Sequence, residues 1–257
     1  MTTPTFAEIC TALGWGAVSS VGLMIGAVAG TFLRLPHRAI ALAMSVGAGL
    51  LLAAASLELA TEAVQSAGPV PAVSSLLLGA AAFSAANTLL ARRGAANRKR
   101  CGECAPQPAE AQHPGSGLAI AVGTAIDAVP EALVLGLALQ HPGFPLELLV
   151  AIAIGNLPEG LSGSAGMRSA GRSYRYVFFL WITIALGSAV ATAAGYAVSG
   201  YLGHSSPPHL QAFGAGALLA MTAETMIPEA FHNSPRFSGF LAAIGFCVVL
   251  LIEATAG

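Results

Sequence analysis

Asp127, Glu131 and Glu159 lie near the middle of long apolar runs, and Glu58, Glu62, Glu224, Glu229 and Glu253 lie inside others. None of these runs contains a Lys or Arg. One ionised carboxylate at mid-bilayer depth costs ~2.5–3.5 kcal/mol on insertion scales. With no protein cation beside them, these acids must be protonated, hydrated in a cavity or neutralised by a bound cation. The last two describe a cation pathway. Asp127 and Glu131 are four apart, and Asn156 and Glu159 three apart, so each pair shares one helix face. Two neighbouring helices then bring three carboxylates and an amide toward one point, an oxygen set suited to divalent cations. Pro130 and Pro158 each precede one of the glutamates. A helix-interior proline frees the carbonyl four residues earlier, here Ile126 and Ile154, and such groups need protein, water or a ligand. A simple kink is the plainer reading, but it leaves the two Pro-Glu pairs unexplained. Gly155 and Gly160 allow close approach of backbone or ion. Glu147 and Glu253 sit at run ends, where a carboxylate reaches headgroup water without further function.

The elements that must hold these residues are membrane helices. Of 257 residues, 55% are hydrophobic and 9% charged, against roughly 25% charged in a soluble domain. The chain reads as a single transmembrane domain, 1–257, in a lipid bilayer. Runs long enough to cross a ~30 Å hydrocarbon core fall at about 14–33, 39–64, 71–91, 117–140, 146–167, 176–203, 208–231 and 237–255. Turn chemistry separates them, as in Gly68-Pro69-Val70-Pro71 and Ser205-Ser206-Pro207-Pro208. A Pro-, Gly- and Ala-rich connection, 92–116, reads as a flexible loop. All 11 Lys and Arg (Arg34, Arg38, Arg92, Arg93, Arg98, Lys99, Arg100, Arg168, Arg172, Arg175 and Arg236) fall in alternate loops. Basic loops stay in the cytoplasm, so the 92–116 loop is cytoplasmic and both termini lie outside, as in a multi-pass protein of a bacterial inner membrane. The polar stretch Met1–Cys10 lacks a basic n-region and a cleavage site, so no removable signal peptide is expected. Net charge is −1 and the basic residues are dispersed, which excludes nucleic acid as a partner.

The sequence also repeats. Gly47-Ala48-Gly49 recurs as Gly214-Ala215-Gly216, and Glu62-Ala63 as Glu229-Ala230. The two runs cross in opposite directions, which gives an inverted repeat of helices 1–3 and 6–8 around 4 and 5. Shared Gly/Ala composition is the competing explanation. In the cytoplasmic loop, Cys101-x-x-Cys104 with His113 is an incomplete zinc set that receives or senses metal, or is simply a reduced loop. His141, His204 and His209 lie in outer loops and His232 at an inner helix end, where solvation alone accounts for them. Trp15 and Trp181 read as interfacial anchors or packing.

These motifs resemble those of the ZIP (Zrt/Irt-like) metal transporters, in a divergent bacterial form. The resemblance rests on eight helices, the long loop after the third, and Asp127-Ala128-Val129-Pro130-Glu131-Ala132 in the fourth. Gly155-Asn156-Leu157-Pro158-Glu159-Gly160 in the fifth and Glu224-Thr225-Met226-Ile227-Pro228-Glu229-Ala230 in the seventh complete it. It implies an all-α polytopic carrier of divalent metal that is not an enzyme and uses no cofactor, the ion being cargo. The expected metal set is Asp127, Glu131, Glu159 and Asn156, with Glu58, Glu62, Glu224 and Glu229 along the path. Asp127 and Ala128 replace the family's His-Asn, and run 176–203 supplies no acid, so a second metal position is not expected. Losing the imidazole moves the preference from Zn²⁺ toward Mn²⁺ or Fe²⁺, although Zn²⁺ accepts carboxylates too. A homodimer is an assembly the resemblance allows. Two other functions compete. A proton-coupled carrier of an organic solute needs an amide- and aromatic-lined pocket, and an intramembrane metalloenzyme needs a motif such as His-Glu-x-x-His, which is absent.

Overall fold

The computed structural model describes residues 4–33, 35–92, 116–140, 144–202, 207–233 and 236–256. Cys101, Cys104, His113, His141 and His204 lie outside them. The described residues form eight helices long and apolar enough to cross a membrane, and they contain no strand. We number these α1 (Phe6–Phe32), α2 (His37–Ala67), α3 (Pro69–Leu90), α4 (Ser116–Ala138), α5 (Leu146–Ser169), α6 (Tyr174–Leu202), α7 (Pro208–His232) and α8 (Ser238–Ala256).

Local chemistry sets the ends. Hydropathy alone starts the first helix near residue 14, but it starts at Phe6, because Thr5 and Glu8 form a reciprocal cap. Thr5 N donates to Glu8 Oε2 at 2.7 Å, and Glu8 N donates to Thr5 Oγ1 at 3.3 Å. Gly68, at φ +84°, turns the chain between α2 and α3 in the left-handed region, and Pro69 then opens α3. Gly171, at φ +80°, does the same after α5, where Arg172 N donates to Met167 O at 3.0 Å. Helices α2 and α7 each contain a π-helical stretch, Ala54–Ala60 and Thr222–Met226. These hold Glu58 and Glu224, with Glu62 and Glu229 just beyond. π-turns of this kind often mark functional positions.

Helices α2, α4, α5 and α7 form the interior, and α3 and α8 lie at the periphery. Met44, Leu51, Leu59, Leu135, Leu148, Ile152, Leu218 and Met226 make the central apolar cluster. Glycines let backbones meet. A Cβ on Gly26 of α1 would lie 2.0 Å from Leu157 O of α5, and one on Gly160 of α5 would lie 2.2 Å from Leu23 O of α1. The α4–α6 contact has the same form, with Gly195 against Leu133 O and Gly136 against Thr192 O. In the other pairs, Gly49 of α2 meets Ala242 O of α8, and Gly216 of α7 meets Leu76 O of α3. Close backbone approach through small residues is how membrane helices associate without a hydrophobic drive.

Both tryptophans pack against neighbouring helices or loops, Trp15 partly buried against the central cluster. Trp181 is 1% exposed and packs with Leu23, Val177 and Leu180, so it is a packing residue. Trp15 contacts Phe144 with ring centroids 4.5 Å apart. At the arginine-bearing end, the Arg168 guanidinium sits 3.7 Å from the Tyr174 ring centroid. That arrangement keeps the charge at the helix end while its neighbours stay apolar.

Candidate metal pathway

Helix α5 meets α1 through Ala153, Leu157, Gly160 and Leu161, and meets α2 through Gly155 and Pro158. At about 100° per residue, Glu159 then lies on the remaining side, with Asn156 at its α1 edge, where its amide reaches Ser19 O. Helix α4 meets α6 through Leu133 and Gly136 and α7 through Val134. Asp127 and Glu131 lie beyond the α7-facing side, toward the interior. All four are enclosed: Asp127 is 0% exposed, Glu131 and Glu159 1%, and Asn156 5%. The glycine-rich sides dock, and the acidic sides are left for the interior.

The two helices touch only briefly, since α4 leans on α6 and α7 while α5 leans on α1 and α2. Among the described residues, no three His, Cys, Asp or Glu side chains gather closely enough to hold an ion. Asn156 is held at one atom: its Nδ2 donates to Ser19 O at 3.3 Å, while Oδ1 is buried without a hydrogen-bond partner. A buried acceptor left in this way costs roughly 1–3 kcal/mol, which a bound cation would remove. We expect Asn156→Ala to weaken divalent-ion binding about 10- to 100-fold and Asn156→Asp to retain it. A titration of purified protein with Mn²⁺ tests this, and equal affinity in the Ala variant and the wild type would exclude Asn156 as a ligand.

The four residues expected along the path separate into two ends. Glu58 and Glu62 lie toward the arginine-free end of α2, where Gln211 Nε2 of α7 donates to Glu62 Oε2 at 3.3 Å. Glu224 is exposed on the face of α7 toward α3, accepting hydrogen bonds from Ser84 Oγ and, at 2.7 Å, from Asn87 Nδ2. Glu229 is buried at 2% exposure, and His232 beyond it is exposed. His209 is exposed, with Nδ1 3.4 Å from Ser75 Oγ. Glu147 stands in the first turn of α5, the helix end where it was read, but is 8% exposed. Glu253 is exposed at the end of α8, in keeping with its reading. Gln211, 0% exposed, was not anticipated; an amide in the opening turns of an apolar span was its only signal.

A cavity of about 270 Å³ beside Pro130 is lined by Leu133, Val134, Leu137, Gly195, Val198, Leu210, Phe213, Gly214 and Ala217. It offers none of the amides an organic polar solute would need. The family model "ZIP Zinc transporter" matches residues 92–254, well over half of the chain. The chain belongs to the ZIP family. It is therefore a multi-pass membrane protein of a family that transports divalent metal ions. No curated protein matches this ZIP chain.

Proposed function

We propose that this ZIP chain carries a divalent transition metal, Zn²⁺, Mn²⁺ or Fe²⁺, into the cytoplasm through Asp127, Glu131, Glu159 and Asn156. The observation that supports this best is the near-complete burial of all four on the interior sides of two helices. Asn156 Oδ1 awaits an acceptor's partner there, and no Lys or Arg lies in the middle of either helix. Oxygen-only donors favour the harder ions, Mn²⁺ and Fe²⁺, over Zn²⁺. Glu58 and Glu62 line the entry and Glu229 the exit, with Glu224 beside it, if the arginine-bearing end is cytoplasmic as basic loops dictate. In that orientation both termini lie outside, and a bacterial inner membrane is the matching location.

Alternating access requires one group of helices to move against another around the site. The inverted repeat is supported by the paired glycine contacts. Gly49 against α8 and Gly216 against α3 are the last glycines of the two Gly-Ala-Gly triplets, and both repeat helices carry a π-turn beside their acids. Helices α1, α4, α5 and α6 pack chiefly among themselves, as do α2, α3, α7 and α8, which suits relative movement of two bodies. Proteoliposomes offered Mn²⁺, Fe²⁺, Zn²⁺, Cd²⁺ and Mg²⁺ test the reading. Saturable uptake of a transition metal is expected; folded protein that moves none of these ions would overturn it.

A further inference from the structure

We propose that the cavity between α4, α6 and α7 binds one acyl chain of a membrane phospholipid, held at the seam between the two groups of helices. The packing order creates the gap. Helix α4 packs on both α6 and α7, but among the described residues α6 and α7, although consecutive, touch little or not at all. The gap cannot close by a tighter fit. A Cβ on Gly195 of α6 would lie 2.3 Å from Leu133 O of α4, and one on Gly214 of α7 would lie 2.0 Å from Val134 Cγ2. Helix α4 is thus already in close contact on both sides. Space left between those contacts forfeits dispersion energy until something fills it.

Size, depth and lining together say what fills it. The cavity measures about 270 Å³, larger than the ~150 Å³ apolar void that takes up benzene. On α4 its wall runs from Pro130 to Leu137, roughly 10 Å at 1.5 Å per residue. That is about a third of the ~30 Å hydrocarbon core, reaching from the middle of α4 toward the arginine-free end. A helix of that length, at a diameter of ~10 Å, needs roughly 800 Å³, so no helix of this chain or of a second copy enters. Every lining residue is apolar, which excludes water and polar solutes. Val198 and Phe213 in its wall are 43% and 41% exposed, and in a membrane-spanning segment that exposure is to lipid. A slender apolar molecule that enters from the bilayer is an acyl chain. Helices α4 and α6 belong to one group and α7 to the other, and Pro130 in the wall adjoins Glu131. A chain here keeps the seam filled while the groups shift, a consequence that rests on the carrier reading. The binding itself does not.

Photolabelling of the full chain in detergent tests the site. The probe is a phosphatidylglycerol with a diazirine midway along one acyl chain, and mass spectrometry of peptides locates the label. Labelling of the lining segments is expected to saturate and to be displaced by excess unmodified phosphatidylglycerol. The exposed Leu77 and Leu78 of α3 should instead label in simple proportion to the probe. Ala217→Leu and Val198→Phe, which enlarge side chains of the wall, should each lower the saturable labelling about tenfold, the effect of losing roughly two buried methylenes. Labelling at α3 should not change. Val198 is exposed, so its variant keeps the test if Ala217→Leu does not fold. Labelling of the lining segments that does not saturate, or that neither variant lowers, would overturn the proposal. Displacement by free palmitic acid but not by phosphatidylglycerol would overturn it too. Saturable labelling with no metal uptake by the wild type would instead overturn the carrier reading alone.

Discussion

Glu159→Gln is expected to reduce saturable divalent-metal uptake at least about 100-fold. The two side chains are nearly isosteric, so the 1% exposed pocket keeps its packing while losing one charge. Substituting a residue behind a metal ligand already costs 10- to 100-fold, and a direct ligand should exceed that. Glu159 follows Pro158, whose ring packs against Gly47 of α2 while Gly155 backs onto Leu51. The carboxylate is therefore held from behind by α2 and cannot be replaced by a shift of Glu131 from α4. Glu8→Gln, an exposed change in the first turn of α1 that keeps a capping-box partner for Thr5, should transport within about twofold of wild type. Initial rates of uptake into proteoliposomes, matched for inserted protein, decide it. Near-normal uptake by Glu159→Gln would remove the α4–α5 set from the mechanism.

The second large effect is on stability. A Cβ at Gly26 would lie 2.0 Å from Leu157 O, 2.8 Å from Leu161 N and 2.9 Å from Leu157 C. All three are backbone atoms of α5, so no side chain can rotate away. Gly26→Val must push α1 and α5 apart by about an ångström or more, and interiors packed at crystal-like density do not absorb that locally. The cost should reach or pass the upper end of the ~1–3 kcal/mol typical of overpacking, because contacts at Gly22 and Gly30 are lost with it. Gly14 has nothing within 4 Å of its Cβ position, so Gly14→Ala should gain up to about 1 kcal/mol from helix propensity. Thermal unfolding in one detergent is expected to rank Gly14→Ala at or above wild type, then Gly26→Ala, then Gly26→Val. A Gly26→Val protein melting with the wild type would show that α1 and α5 do not meet there.

How much of this was legible in the sequence depended on the kind of interaction. Helix number and order follow from hydropathy and from the alternation of basic loops, because the bilayer imposes both. Burial of Asp127, Glu131 and Glu159 follows from their depth in apolar runs. What sequence spacing misses is tertiary. The α1 cap depends on a local exchange between Thr5 and Glu8, so a polar stretch read as a lead-in is the start of the helix. Glu147 stands at the helix end where it was read, yet the fold buries it. The π-turns leave no trace in residue type, since one extra residue per turn alters bonding without altering composition. Nor does spacing show which helices pack together: glycines seat α5 on α1 and α4 on α6, so the two acid-bearing helices have different main partners.

The enclosure of α5 bears on how the chain enters a bilayer during synthesis. Helices α3 and α8, largely lipid-facing, are apolar enough to leave the aqueous insertion channel unaided, whereas α5 carries Glu147, Asn156 and Glu159 and presents little of itself to lipid. Charged residues near a segment's centre penalise release into lipid. A partner that shelters one side lowers that penalty, and α1, made earlier, already bears the Gly22, Gly26 and Gly30 groove that receives α5. The second, third and fourth membrane segments are translated between them, so the groove must wait, open, until more than a hundred residues have been added. The order of the gene thus places the receiving surface before the segment that depends on it.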